Sequence, residues 1–101
     1  MSTAQALLSE LPEGETISLP WVRERVGWSR PAQSNVIREG VIRPLPERGP
    51  HGGYRVTRDD AVLILVAYAL AAAAGVAIVS MIRALKGAGL DPKALAQAMN
   101  T

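Results

Sequence analysis

Cysteine is absent from this chain, and histidine occurs once, at position 51. The absence of cysteine excludes disulfide bonds, thiolate catalysis and cysteine-based zinc sites together. His51 cannot form a metal cluster by itself, so we expect no metal site.

Catalytic motifs are missing as well. No Ser/His/Asp set occurs, and no segment follows the phosphate-cradling pattern G-x-x-x-x-G-K-[ST]. The run 49–53 is rich in glycine, but Pro50 has no N–H to donate and no helix is predicted to begin there. The sequence therefore predicts a protein that is not an enzyme and that takes no cofactor. We interpret His51 as a loop residue and not as a general base.

The length of 101 residues and the apolar share of 49% limit the fold. One domain with a packed core fits this length, and a separate sensor or catalytic module does not. The chain begins Met-Ser-Thr-Ala and lacks the basic, apolar and small-residue succession of a secretory signal. We therefore expect a cytoplasmic protein.

Positive charge is weak overall but unevenly placed. The net charge is +2, and residues 1–16 contribute −3, residues 17–58 contribute +5 and residues 59–101 contribute none. Eight of the nine arginines lie in the middle block. Guanidinium groups suit phosphates and guanine edges, so a block of arginines is typical of a DNA-binding face. On charge alone, an ordinary solvated surface is the alternative.

Two short helices are predicted before residue 27. One covers about 3–11 and ends before Pro12. The next covers 19–26, because Ser18 is a favourable cap, Pro20 suits a first helical turn, and Gly27 suits a left-handed end.

A third short helix, about 30–39, is predicted between Ser29 and Gly40. Its apolar side carries Ala32, Val36 and Ile37, with Gln33 beside them. Its other side carries Arg30, Ser34 and Arg38 at i, i+4 and i+8, with Asn35 adjacent. Together with the preceding helix it makes a helix-turn-helix, a motif that many non-binding proteins also contain.

An exposed wing is predicted over about 41–56. Val41–Arg43 and Tyr54–Val56 are interpreted as its two strands, joined by the Pro/Gly-rich segment 44–53. Arginines on this segment and its return, together with His51, favour contact with phosphates. A plain surface loop is the alternative.

Residues 61–82 form a stretch of 22 residues without a charge. By length alone it is typical of a transmembrane span. Its alanine content and the break at 75–77 favour two packed helices, about 58–74 and 78–87, with Thr57 and Asp60 as an opening capping box. A helix that is apolar on nearly all sides must be buried all round, so we expect a homodimer or higher self-association through 61–82. Two faces are predicted: Leu63, Val66, Leu70 and Ile78 inward, and Ile64, Tyr68 and Ala71 toward a partner subunit.

Six short segments between residues 27 and 85 carry a family resemblance. In order they are Gly27-Trp28-Ser29, Gly40-Val41-Ile42-Arg43-Pro44, Gly53-Tyr54-Arg55, Asp59-Asp60, Ala74-Gly75-Val76-Ala77-Ile78 and Ile82-Arg83-Ala84-Leu85. In order and spacing they resemble the DNA-binding domain of the MerR family. The resemblance implies a mostly α fold with a small β wing, the winged helix-turn-helix. We divide the chain into an N-terminal extension (1–16), the DNA-binding domain (17–89) and a tail helix (90–101).

The chain departs from that family in its recognition helix. Members usually carry Leu-Arg-Tyr-Tyr where this chain has Gln33-Ser34-Asn35-Val36, so base reading is expected from Asn35 with Arg30 or Arg38. No long coiled-coil helix or effector domain follows. The resemblance therefore implies a small regulator or a factor similar to phage and mobile-element excisionases, and not an inducer-responsive activator.

The sequence thus predicts a protein that binds double-stranded DNA sequence-specifically, as a transcriptional regulator or a recombination directionality factor. The residues expected to contact DNA are Arg30, Gln33, Ser34, Asn35, Arg38, Arg43, Arg48, His51, Arg55 and Arg58. Two alternatives stay open: a small membrane-anchored protein with 61–82 as its span, and a protein-interaction module such as an antitoxin or adaptor.

Overall fold

The computed structural model describes residues 3–49, 52–91, 94 and 97. These residues form, in order, α1 (Thr3–Ser9), β1 (Thr16–Ser18), α2 (Leu19–Val26), α3 (Arg30–Arg38), β2 (Arg55–Thr57), α4 (Arg58–Ala74) and α5 (Ile78–Gly87). The fold is mostly helical with a small two-stranded antiparallel sheet, which confirms the predicted fold class at this level. His51 and most of the predicted tail helix 90–101 lie outside the described residues.

Hydroxyl side chains begin three of the helices, as predicted. Each accepts the backbone N–H three residues on: Ser18 from Trp21 at 3.4 Å, Ser29 from Ala32 at 3.2 Å, and Thr57 from Asp60 at 3.1 Å. Each bond satisfies an amide that the first turn leaves unpaired. Gly27 and Gly75 end α2 and α4 in the left-handed conformation, with φ of 72° and 70°. The predicted helices 19–26, 58–74 and 78–87 are therefore confirmed.

The predicted strand Val41–Arg43 is wrong. The N–H groups of Val41 and Ile42 both donate to the carbonyl of Val36, at 3.0 and 3.3 Å, and so complete the end of α3. Both side chains are buried in the core. Because both N–H groups already donate to the end of α3, they cannot form the hydrogen bonds of a strand ladder.

The sheet joins two segments far apart in sequence. β2 begins at Arg55, one residue later than predicted, and pairs with β1 in the register Thr16↔Thr57, Ile17↔Val56, Ser18↔Arg55. We call residues 43–49 and 52–54 the arm. The arm makes isolated backbone contacts and not a continuous strand ladder. Leu45 N–H donates to Arg55 C=O at 2.8 Å, and Arg48 and Tyr54 form an isolated antiparallel bridge.

Helix α4 is the centre of the core. It packs against α1, α2, α5 and both strands. All residues from 61 to 67 are buried, and because they point in every direction around the helix, one chain covers α4 on all sides here.

The predicted partner face of α4 is therefore wrong. Ile64 is 1% exposed and Ala71 is 3% exposed, both covered within the chain, and Tyr68 is half-buried. Residues 61–67 of α4 therefore need no second subunit to cover them, since elements of the same chain surround them. The homodimer stays a prediction without this reason for it.

Among the described residues, no single helix is long and apolar enough to cross a membrane. Helices α4 and α5 are long and apolar enough only when taken together, and the chain bends by 117° between them.

Candidate nucleic-acid interface

The outer face of α3 is polar and exposed, as its spacing predicted. Arg30, Ser34, Asn35 and Arg38 are all exposed, while Val36 on the opposite side is 4% exposed. A guanidinium N–H of Arg38 donates to the side-chain oxygen of Asn35. The two side chains are therefore neighbours on the exposed face of α3.

Gln33 differs from its neighbours on α3. It is 8% exposed, and its amide oxygen has no hydrogen-bond partner among the described residues. Gln33 is among the residues predicted to contact DNA. In the structure it is one of the residues that line a groove beside α3.

That groove, which we call the arginine groove, lies between helices α2 and α3 on one side and the arm on the other. It encloses about 580 Å3. Its lining residues are Ser18, Pro20, Arg23, Arg30, Gln33, Ser34, Arg48, Gly49, Gly52, Gly53, Tyr54 and Arg55. Four of these described residues are arginines and none is acidic, so the groove is suited to an anion.

The arm holds Arg48 against an aromatic ring. The Arg48 guanidinium lies 3.8 Å from the centre of the Tyr54 ring and donates to the carbonyl of Gly52 at 3.1 Å. Stacking on an aromatic face fixes the plane of a guanidinium while its remaining N–H groups stay available. Arg48 is thus presented to the groove as a fixed charge on an exposed loop.

Arg55 is half-buried and is held by the N-terminal extension. Its Nε donates to Thr16 Oγ1 at 2.9 Å and its Nη2 to the Thr16 carbonyl at 2.8 Å. Arg55 lines the groove, but its hydrogen bonds from Nε and Nη2 to Thr16 stabilise the fold and are not available to a ligand.

Two further predicted residues lie outside the groove. Nη1 of Arg58, at the start of α4, donates to the carbonyls of Pro12 at 2.6 Å and Gly14 at 3.2 Å. Arg43 is exposed at the start of the arm. The structure therefore brings Arg30, Gln33, Ser34, Arg48 and Arg55 together at the groove. Four other predicted residues among those described do not line it: Asn35, Arg38, Arg43 and Arg58.

Comparison of the chain with known protein families, curated proteins and solved structures gives no match.

Arg23 is the groove residue that sequence reasoning missed. It lies on α2 and is not among the residues that the sequence predicts to contact DNA. Its one signal was membership of the arginine block, which it shares with Arg25. Arg25 instead stacks on Trp21, 3.8 Å from the ring centre, and pairs with Glu10 at 3.7 Å. Only the packing of the arm against α2 distinguishes the two.

Helix α5 supports the end of α3 from the other side. Lys86 Nζ donates to the carbonyl of Val41 at 2.7 Å, and Arg83 pairs with Glu39 at 3.7 Å. The position of the polar face of α3 thus depends on a helix that does not itself line the groove.

Proposed function

We propose that this protein binds double-stranded DNA sequence-specifically through a winged helix-turn-helix of the MerR type. Helix α3 enters the major groove, and the arm, as the wing, lies on the adjacent backbone. The observation that carries the proposal is the continuity of two surfaces. The exposed stripe of α3 runs directly into the arginine groove, which contains no acid among its described lining residues.

The dimensions of α3 suit this role. An α-helix with its side chains is about 10–12 Å in diameter, so a major groove about 12 Å wide admits α3. Helix α3 has only nine residues, so Arg30, Ser34, Asn35 and Arg38 on its exposed face can all meet the DNA when it lies in the groove.

Discrimination between bases is assigned to Asn35 and Arg38. An Asn side chain reads adenine through its oxygen and its N–H2 group, and an arginine reads guanine through two N–H groups. The Asn35–Arg38 hydrogen bond is exposed, so water or a base edge can replace it at small cost.

Tight, selective binding by a chain of this size fits a transcriptional regulator or a recombination directionality factor. Both act by occupying a defined site, and neither needs catalytic chemistry in the chain itself.

Fluorescence anisotropy on a selected DNA site and on a scrambled site tests this function. Asn35→Ala and Arg38→Ala should each weaken the selected site by about 1–3 kcal/mol and the scrambled site much less. Arg83→Ala, an exposed arginine on α5, is the matched control and should leave the preference unchanged. Equal losses on both DNAs would contradict base reading by α3, and the absence of any preference in the wild type would contradict the proposed function.

A further inference from the structure

Arginines from separate elements converge on the arginine groove. Arg23 comes from α2, Arg30 from the start of α3, Arg48 from the arm and Arg55 from β2. Like charges gathered without an acid between them repel one another, so the arrangement favours a bound anion.

Much of the donor capacity of these arginines is unused. The guanidinium groups of Arg23 and Arg30 make no hydrogen bond or ion pair with the residues that the structure describes. Arg48 spends one hydrogen bond on Gly52, and Arg55 spends two on Thr16. Each guanidinium has five N–H donors in a planar fork that matches the oxygens of a phosphate.

Gln33 gives a second, independent sign of a ligand. It lines the groove and is more than nine-tenths buried, yet its amide oxygen has no partner among the described residues. Buried polar groups in folded proteins are nearly always hydrogen-bonded, and exceptions occur at ligand sites. A half-turn of the amide exchanges this oxygen for an N–H2 donor.

We propose that the arginine groove is a binding site for one phosphate group, held by Arg23, Arg30 and Arg48, with Gln33 in the same lining. The proposal rests on the proposed function for one of its two phosphate sources, the DNA backbone. The other source is a small phosphate-bearing molecule, which would bind without DNA. In both cases the recognised chemistry is a phosphate dianion or diester within reach of several guanidinium forks.

The first experiment uses inorganic phosphate and the full chain. Backbone amide and arginine Nε chemical shifts are followed by NMR during titration at constant ionic strength, with chloride replacing phosphate in the control. We expect saturable shifts confined to the groove in the wild type and in Arg83→Gln. In Arg23→Gln, which keeps a polar side chain of similar reach, saturation should require at least about tenfold more phosphate. Arg30→Gln provides the same test should Arg23→Gln fail to fold.

The second experiment measures DNA affinity against salt concentration. The slope of log K against log salt is negative, and loss of one phosphate contact reduces its magnitude by about one. Arg23→Gln should reduce the magnitude of the slope equally on selected and scrambled DNA. Arg83→Gln should leave the slope unchanged on both.

The two measurements separate the phosphate sources. A slope of smaller magnitude in Arg23→Gln supports a backbone phosphate in the groove, with or without saturation by free phosphate. Saturation that depends on Arg23 with an unchanged slope supports a small phosphate-bearing ligand. If the wild type bound no DNA but still saturated in a way that depends on Arg23, the proposed function would fail and the phosphate site would stand. Wild-type shifts that do not saturate, or that saturate equally in the wild type and both groove variants, would overturn the site when the slopes are also unchanged or when the wild type binds no DNA.

Discussion

Glycine has opposite roles at two positions of this chain. Gly75 ends α4 with φ of 70°, where any Cβ strains the backbone even though the space around it is open. Gly87 lies in the last turn of α5 with an ordinary φ and nothing within 4 Å of an added Cβ.

The same substitution should therefore change the free energy of unfolding in opposite directions. Gly75→Ala should destabilise by about 1–2 kcal/mol, and Gly87→Ala should stabilise by about 0.5–1 kcal/mol. Urea denaturation followed by circular dichroism measures both. Two changes of the same sign would contradict the assignment of Gly75 as a left-handed helix end.

Arg55 and Arg48 line the same groove but differ in what holds them. Arg55→Ala removes two charged hydrogen bonds to Thr16 from a half-buried position, and we expect a loss of about 2 kcal/mol in stability. Arg48→Ala is the comparison and should cost less than about 1 kcal/mol, because its one hydrogen bond is exposed. Arg55→Lys should not restore the loss, because an ammonium lacks the planar fork. Chemical denaturation of the three variants checks this order.

At the scale of elements, local signals predicted the helices well. Ser18, Ser29 and Thr57 bond within their own first turns, and Gly27 and Gly75 act on their own backbone. A helix-capping signal is contained in a few neighbouring residues, so it can be identified from the amino-acid sequence alone.

The sheet was not predictable in the same way. Ile17 pairs with Val56, and nothing near either residue specifies the other. Val41 and Ile42 are of residue types common in strands, but their N–H groups donate hydrogen bonds to the end of α3 instead. The polar stripe of the candidate site follows from helical spacing, whereas the inclusion of Arg23 depends on where the arm folds back.

Lys86 is the contact through which α5 supports α3. Lys86→Met keeps the aliphatic stem and removes the donor to the Val41 carbonyl, so we expect a loss of about 1 kcal/mol. Amide hydrogen exchange at Val41 and Ile42 should accelerate. Arg83→Met breaks only an exposed pair with Glu39 and should change stability by less than about 0.5 kcal/mol. Unchanged exchange in Lys86→Met would show that α5 does not hold this end of α3.

For the whole molecule, the burial of residues 61–67 of α4 within one chain means that a second subunit would have to bind elsewhere. Val76 is 48% exposed at the bend between α4 and α5, and the alanines at 72–74 and 77 beside it are exposed too. The predicted homodimer should therefore form around this bend and not on Ile64.

Val76→Glu should then convert a dimer to a monomer without changing the far-ultraviolet circular dichroism. Sedimentation velocity measures the mass of both species, and Ser80→Glu, an exposed position on α5, is the control. A wild type that sediments as a monomer at high concentration would contradict self-association.

The pairing of β1 with β2 has a consequence for how this chain can be rebuilt. Ser18 lies opposite Arg55, so the segment 19–54 leaves the rest of the molecule and returns to it at neighbouring points. A segment with adjoining ends can be exchanged as a cassette while the path of the remaining chain stays the same. The cassette still has to supply the apolar side chains that complete the core shared with α4, among them Leu19, Val22 and Val36. Helix α3 and the arm travel together in such an exchange. Under the proposed function, a new target preference and its phosphate contacts would then be acquired in one step.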